Sequence, residues 1–314
     1  MPPVLKAALW MTGAIVSFSL MAVAGRAVAV TLDTFELMMY RSLIGIVIVL
    51  GVAGAAGTLS QISRRSLGLH TLRNISHFAG QNLWFAAIIM IPLTQVFALE
   101  FTSPLWAMLF ATFILGERLS AIRVIGALVG FMGVLIVLGI VTIQLSLSDG
   151  VLGAVRIDLN DAFVATILTN IGALLAALAA IGFALSAVFT RKLTRTESIT
   201  CILFYLTVMQ AVFGVITAGY DGDIALPGKP EVPWLLAIAC AGLLAHFCLT
   251  KALSLAPAAV VMPFDFIRLP LIAVIGLVMF NEQISLAVIF GAIVIFSANY
   301  VIVLTESRKT AAKK

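Results

Sequence analysis

The sequence predicts an all-α membrane protein of ten transmembrane helices arranged as two inverted five-helix repeats. Three observations carry that prediction: a composition too apolar for water, ten continuous hydrophobic runs, and a second half that repeats the first at one fixed offset. Of 314 residues, 62% are hydrophobic and 11% charged, with a mean hydropathy of +1.17. A soluble domain carries roughly 25% charged residues, so this chain could not cover itself with polar groups. The same apolar content excludes disorder. A hydrocarbon core about 30 Å thick takes about 20 residues per helix, which leaves room for ten spans.

The runs fall at about 7–28, 36–57, 72–91, 94–115, 121–141, 169–190, 199–219, 233–253, 258–280 and 285–304. They are continuous and too long for a barrel, whose strands alternate over about ten residues. The first run continues to Ala24 without a cleavage pattern and reads as a helix rather than a signal peptide. The organisation expected is a first repeat at 7–141, a linker at 142–168, a second repeat at 169–304 and a basic cytoplasmic tail at 305–314.

Charge sorts the loops. Lys6, Arg64, Arg65, Arg73, Arg118, Arg123, Arg191, Lys192, Arg195, Lys251 and the Arg308–Lys314 tail fall on one side. The opposite loops hold Asp33, Glu36, Asp149, Asp158, Asp161, Asp221, Asp223 and Glu231, with Arg156 and Lys229 as their positive charges. Positive-inside logic places both termini in the cytoplasm and the chain as a multi-pass protein of the cell (inner) membrane. The net charge of +5 therefore speaks for loops beside lipid headgroups, not for a nucleic-acid partner. Cys201, Cys240 and Cys248 lie in apolar stretches with no CxxC or Cys/His spacing, so they read as small core residues, with no metal or cofactor expected.

Sliding the second half over the first by 165 residues aligns Arg26 with Arg191, Tyr40 with Tyr205, Pro92 with Pro257, Glu100 with Asp265 and Phe101 with Phe266. Glu117 with Glu282, Ser120 with Ser285, Gly126 with Gly291 and Phe131 with Phe296 continue the series. Each copy has an odd number of spans, so the second enters the membrane from the opposite side. Inverted repeats of this kind place a site near the midplane that is reached from each side in turn, the layout of secondary transporters.

The chain resembles the drug/metabolite transporter superfamily, specifically its EamA-type ten-helix members, on several segments. These are Phe113-Ile114-Leu115-Gly116-Glu117-Arg118-Leu119-Ser120 with the glycine-rich helix after it, the echo Val278-Met279-Phe280-Asn281-Glu282-Gln283-Ile284-Ser285, Met39-Tyr40-Arg41, and Leu253-Ser254-Leu255-Ala256-Pro257-Ala258. One departure is Asn281 where the first copy has Gly116. The resemblance implies transport of a small organic metabolite or drug by alternating access. Amino acids and nucleoside-like compounds such as S-adenosylmethionine fall within what it covers.

Charges inside hydrocarbon cost roughly 2.5–3.5 kcal/mol each on insertion scales. Arg41, Glu100, Asp265 and Arg268 are therefore candidate substrate-binding residues, and both signs of charge suit a zwitterionic solute. Asp265 and Arg268 are also spaced to pair on one helix face. A buried carboxylate is the kind of group through which proton coupling could run. The third span carries Asn74, His77 and Gln81 on one stripe, with Asn82 adjacent. Substrate contact and helix–helix hydrogen bonding both explain such a stripe. His246 maps onto Gln81 and joins the candidates, as does Trp106, which could stack on a flat ring. Glu117 and Glu282 read as fold markers that favour the helix following each of them. Pro92, Pro104, Pro257, Pro263 and Pro270 mark the fourth and ninth spans as bending elements. No GxxxxGK[ST] loop is present to bind ATP. The alternative, a membrane-embedded enzyme acting on lipid, would need clustered acid–base or metal groups, and His70, His77 and His246 are scattered in sequence.

Overall fold

The computed structural model describes residues 3–28, 31–116, 121–138, 141–144, 154–157, 170–220, 222–255 and 262–311. Glu117, Ser120, Pro257 and most of the 142–168 linker lie outside the described residues.

The first copy comprises α1 (Pro3–Val28), α2 (Thr34–Ala55), α3 (Leu67–Met90), α4 (Leu93–Glu100), α5 (Ser103–Leu115) and α6 (Ala121–Val137). The second comprises α7 (Ile171–Leu193), α8 (Ile199–Ala218), α9 (Glu231–Leu255), a 3-10 segment (Met262–Ile267), α10 (Arg268–Phe280) and α11 (Leu286–Ala311). Between the copies, β1 (Val141–Gln144) pairs antiparallel with β2 (Ala154–Ile157). This pair begins at Val141, the last residue assigned to the fifth span, and otherwise falls in the stretch that the sequence marked only as a polar interruption.

The fourth span is broken, where the sequence suggested one run. Pro104 has no N–H to give the Glu100 carbonyl, so α4 stops at Glu100. A turn at Phe101 and Thr102 follows, and α5 restarts on the Thr102 carbonyl, which accepts from Leu105 and Trp106. Pro270 stands in α10 with the 3-10 segment before it, so the ninth span changes helix type at the matching place. Counting each of these interrupted stretches as one span, the described helices form ten spans, with a short 3-10 turn at Leu59–Gln61 between α2 and α3.

The 165-residue offset recurs in the helix ends. α5 at 103–115 maps onto α10 at 268–280; the starts of α2 and α6 map onto those of α8 and α11; the ends of α1 and α3 map onto those of α7 and α9. Caps repeat as well: Asp33 accepts from the Glu36 amide to start α2, and Ser198 accepts from the Cys201 amide to start α8. Gly116 after α5 has φ +71°, and Asn281 after α10 has φ +51°. Asn281 is the non-glycine residue type that best tolerates this left-handed cap, so the departure in the second motif keeps the same backbone.

The copies interlock rather than sit side by side. α1 runs along α9 and α3 along α7, two contacts related by the repeat; α2 lies on α8, α6 on α11 and α4 on α10. Glycines allow the closest approaches. A Cβ on Gly182 of α7 would fall 2.8 Å from the Gly80 Cα and 2.9 Å from the Ser76 carbonyl of α3. Among the described residues, six helical stretches are long and apolar enough to cross a membrane by length and composition alone. α3 is not among them, although it has 24 residues, because it carries the polar side chains described next.

Candidate functional site

His70, Arg73, Asn74, His77, Gln81 and Trp84 recur at helical spacing along α3, and all are buried. The stripe divides by function. Near the start of α3, Arg73 donates to Thr190 Oγ1 at 3.0 Å and to Asn74 Oδ1 at 3.1 Å. Asn74 donates to the Tyr205 carbonyl, and Gln210 of α8 donates to the Asn74 carbonyl at 2.9 Å. Asn74 therefore ties helices together. Arg73, grouped with the loop charges by sequence, is instead buried within α3 between Asn74 and α7.

Further along α3 the polar atoms lose their protein partners. His77 Nε2, Gln81 Oε1 and His246 Nε2 are buried without a hydrogen-bond partner. The His77 and His246 rings lie 4.9 Å apart, and Phe18 stands edge-on to His246 at 5.5 Å. Met21 Sδ lies 3.8 Å from Gln81 Nε2 and 3.9 Å from Arg41 Nη1. Gly242 leaves the space beside the Arg41 guanidinium, since a Cβ there would stand 3.4 Å from Nη2. Arg41 is buried and does not snorkel; none of the ion pairs among the described residues includes it.

The carboxylates complete the cluster. Arg268 Nη2 donates to Glu100 Oε1 at 2.8 Å and to Asp265 Oδ2 at 2.7 Å. Trp84 Nε1 donates to Glu100 Oε2 at 2.9 Å. The helix break explains the meeting: Glu100 ends α4, Asp265 lies in the 3-10 segment and Arg268 opens α10. Phe97, Phe18 and Phe101 hold the guanidinium carbon at 4.8, 5.2 and 5.8 Å from their ring centres. Asp265 Oδ1 and Arg268 Nε keep unused hydrogen-bonding capacity. Two carboxylates on one guanidinium leave one negative charge over, with the Arg41 cation elsewhere in the cluster.

Arg41, His77, Gln81, Glu100, His246, Asp265 and Arg268 thus belong to one linked set. Trp106 does not join it: it stacks on Phe110 at 6.4 Å and lines an apolar recess of about 260 Å³ with Leu105, Leu109, Val124 and Phe131. Sequence reading passed over Phe18, Met21 and Phe97, which look like ordinary apolar core until Arg268 and Arg41 are placed beside them.

Glu282 also differs from its expected role. It does not serve the helix that follows it. Its carboxylate accepts from the Leu93 amide at 2.9 and 3.1 Å, capping α4, and from Arg26 Nη1. Arg26 in turn donates to the Ile88 and Ile91 carbonyls and lies over Phe280. This latch joins α1, the α3–α4 corner and the α10–α11 corner on the face opposite the termini.

The sequence profile described as the EamA-like transporter family matches residues 5–139 and again 170–304. The chain belongs to the EamA-like transporter family. Among relatives, it is 25% identical over 305 residues to an S-adenosylmethionine uptake transporter of Rickettsia bellii (strain RML369-C), covering 97% of this chain and 95% of that one. It is 26% identical over 315 residues to a riboflavin transporter of Vibrio cholerae serotype O1, covering 99% and 97%. A riboflavin transporter of Rhizobium johnstonii is 30% identical over 246 residues, 76% of this chain and 71% of that one. A chain of known crystal structure superimposes with a TM-score of 0.62 at 19% identity, over 96% of this chain and 98% of its own, which establishes likeness of fold.

Proposed function

We propose that this protein is a secondary transporter that carries a zwitterionic small metabolite by alternating access between its two inverted copies. The observation that carries the reading is Arg268 bridging Glu100 and Asp265 inside the membrane domain. The surplus carboxylate charge suits a cationic group on the solute, and the buried Arg41 suits its carboxylate. S-adenosylmethionine, which one set of relatives is named for, bears both signs of charge and an aromatic base. Riboflavin, which another set is named for, lacks that pairing of charges. The surplus carboxylate is also the group through which proton coupling would run, since a proton and a cationic solute compete for it. The reading involves no catalytic step. Both termini lie in the cytoplasm on this reading, and the chain spans the cell (inner) membrane, as the basic loops support.

The test is uptake by proteoliposomes offered labelled S-adenosylmethionine, riboflavin and a panel of amino acids, with and without an imposed pH gradient. The expected result is saturable uptake of a zwitterion, lost in Glu100→Gln and Asp265→Asn while membrane insertion persists. Full activity in both single variants and in the double variant removes these carboxylates from the mechanism. Movement of neutral solutes alone overturns the zwitterion reading.

A further inference from the structure

We propose that His70, Glu197 and Cys201 form a binding site for a divalent transition-metal cation of the zinc type, separate from the central cluster. His70 lies in the first turn of α3, Glu197 in the α7–α8 loop and Cys201 in the first turn of α8. Their candidate ligand atoms all lie within 4.8 Å of one another. His70 Nε2 and Cys201 Sγ are 3.9 Å apart. A tetrahedral zinc ion, with bonds of about 2.3 Å to sulfur and about 2.0 Å to nitrogen, sets those two atoms about 3.5 Å apart. The His70–Cys201 pair is therefore within a few tenths of an ångström of its liganded spacing, and the Glu197 carboxylate has to close in to complete the set.

The surroundings are those of a supported metal site. His70 and Cys201 are fully buried, while Glu197 is half-buried and offers the approach from solvent. Glu197 Oε1 is buried without a hydrogen-bond partner, and His70 turns Nε2 toward Cys201 Sγ. Tyr205 packs on the His70 ring at 4.4 Å and fixes its plane. Ser198 caps α8 through the Cys201 amide and fixes the cysteine backbone. The Ser63 amide points at Sγ from 3.4 Å, a donor for the thiolate that ligation creates. The Ser63 carbonyl, 3.6 Å from Sγ, and solvent water are the choices for a fourth ligand.

The donor set selects the cation. Thiolate, imidazole and a single carboxylate suit zinc and its neighbours, whereas calcium and magnesium require oxygen ligands throughout. On binding, the metal–sulfur bond replaces the S–H bond and the thiol proton leaves to solvent, with no change of oxidation state. The ligands come from both copies of the repeat, α3 from the first and the α7–α8 corner from the second. A bound ion would clamp the copies together on the face that carries the termini.

The test uses tag-free, full-length protein in detergent. Cobalt(II) serves as the optical probe, and zinc content is measured after dialysis against a zinc buffer. The expected result is about one equivalent per chain, with a thiolate-to-cobalt charge-transfer band. Cys201→Ser should abolish the band, His70→Gln and Glu197→Gln should lower affinity at least tenfold, and Cys240→Ser should change nothing. X-ray absorption at the zinc edge of the wild-type protein gives a reading that does not depend on the variants folding, with one sulfur and the remaining ligands nitrogen or oxygen. A coordination sphere without sulfur, substoichiometric zinc, or a cobalt spectrum unchanged by Cys201→Ser would overturn the proposal. None of these readings depends on what the protein transports.

Discussion

Glu100 and Asp265 occupy equivalent positions in the two copies and meet on one nitrogen, the Nη2 of Arg268, at 2.8 and 2.7 Å. Duplication supplied the two carboxylates. A residue present in one copy alone, with Ser103 at the matching place in the other, joins them.

Replacing Arg268 by glutamine leaves two partly buried carboxylates, 12% and 18% exposed, without their shared cation. Removing one partner of a buried pair costs about 3–5 kcal/mol. Arg268→Gln should therefore lower the thermal unfolding midpoint in detergent markedly. Adding Glu100→Gln to it should recover part of the loss, because the repulsion disappears. A double variant no more stable than Arg268→Gln alone would show that the carboxylates do not oppose each other once the arginine is gone.

Asn281 holds a left-handed backbone at φ +51°. An ordinary Cβ is strained there by about 1–2 kcal/mol, and glycine carries no such strain. Asn281→Gly should leave the unfolding midpoint close to that of the native chain, whereas Asn281→Val should lower it. The two variants differ in backbone freedom at a position just beyond α10, so a melt in detergent distinguishes them directly.

Gly182 of α7 lies against the α3 backbone, where a Cβ would sit 2.8 Å from the Gly80 Cα. Backbone cannot swing aside as a side chain can, and overpacking costs about 1–3 kcal/mol. Gly182→Val should reduce the yield of folded protein and its melting temperature. Gly51 on α2 is the control, since a Cβ there would meet nothing within 4 Å. Gly51→Ala should be neutral or mildly stabilising.

Glu282 caps α4 through the Leu93 amide and binds Arg26. Glu282→Ala should loosen this corner on the face opposite the termini. In a Cys240→Ser background carrying Ile91→Cys, a membrane-impermeant thiol reagent should label the new cysteine about tenfold faster, which corresponds to about 1.4 kcal/mol. Unchanged labelling would mean that the corner stays shut without the carboxylate.

Much of the architecture is legible in the sequence because a bilayer restricts the choices. Runs of about 20 apolar residues have few other uses, and charged residues and prolines are scarce enough in this chain for Arg26 with Arg191 or Glu100 with Asp265 to reveal the offset. The central cluster is legible for the same reason: Arg41, Glu100, Asp265 and Arg268 have no favourable place in hydrocarbon unless they meet partners or water. Those partners are harder to read. Asp265 and Arg268 are three residues apart and can be paired from spacing, but Glu282 and Leu93 are 189 apart and His70 and Cys201 are 131 apart. Nothing local signals such meetings. Arg73 departs from its expected place because a helix boundary moves by a few residues, which at a membrane surface decides between solvent and burial. Trp106 departs from its own because it packs on Phe110 in an apolar recess.

The presence of Arg268 opposite Ser103 has a consequence for energetics. A perfectly duplicated chain would possess two forms of identical free energy, each the other turned upside down by a two-fold rotation in the membrane plane. A guanidinium confined to one copy removes that degeneracy, so the resting molecule has a preferred side to which it returns. Over a complete cycle that difference cancels, so the asymmetry sets how often each side is presented and not how far the solute can be concentrated.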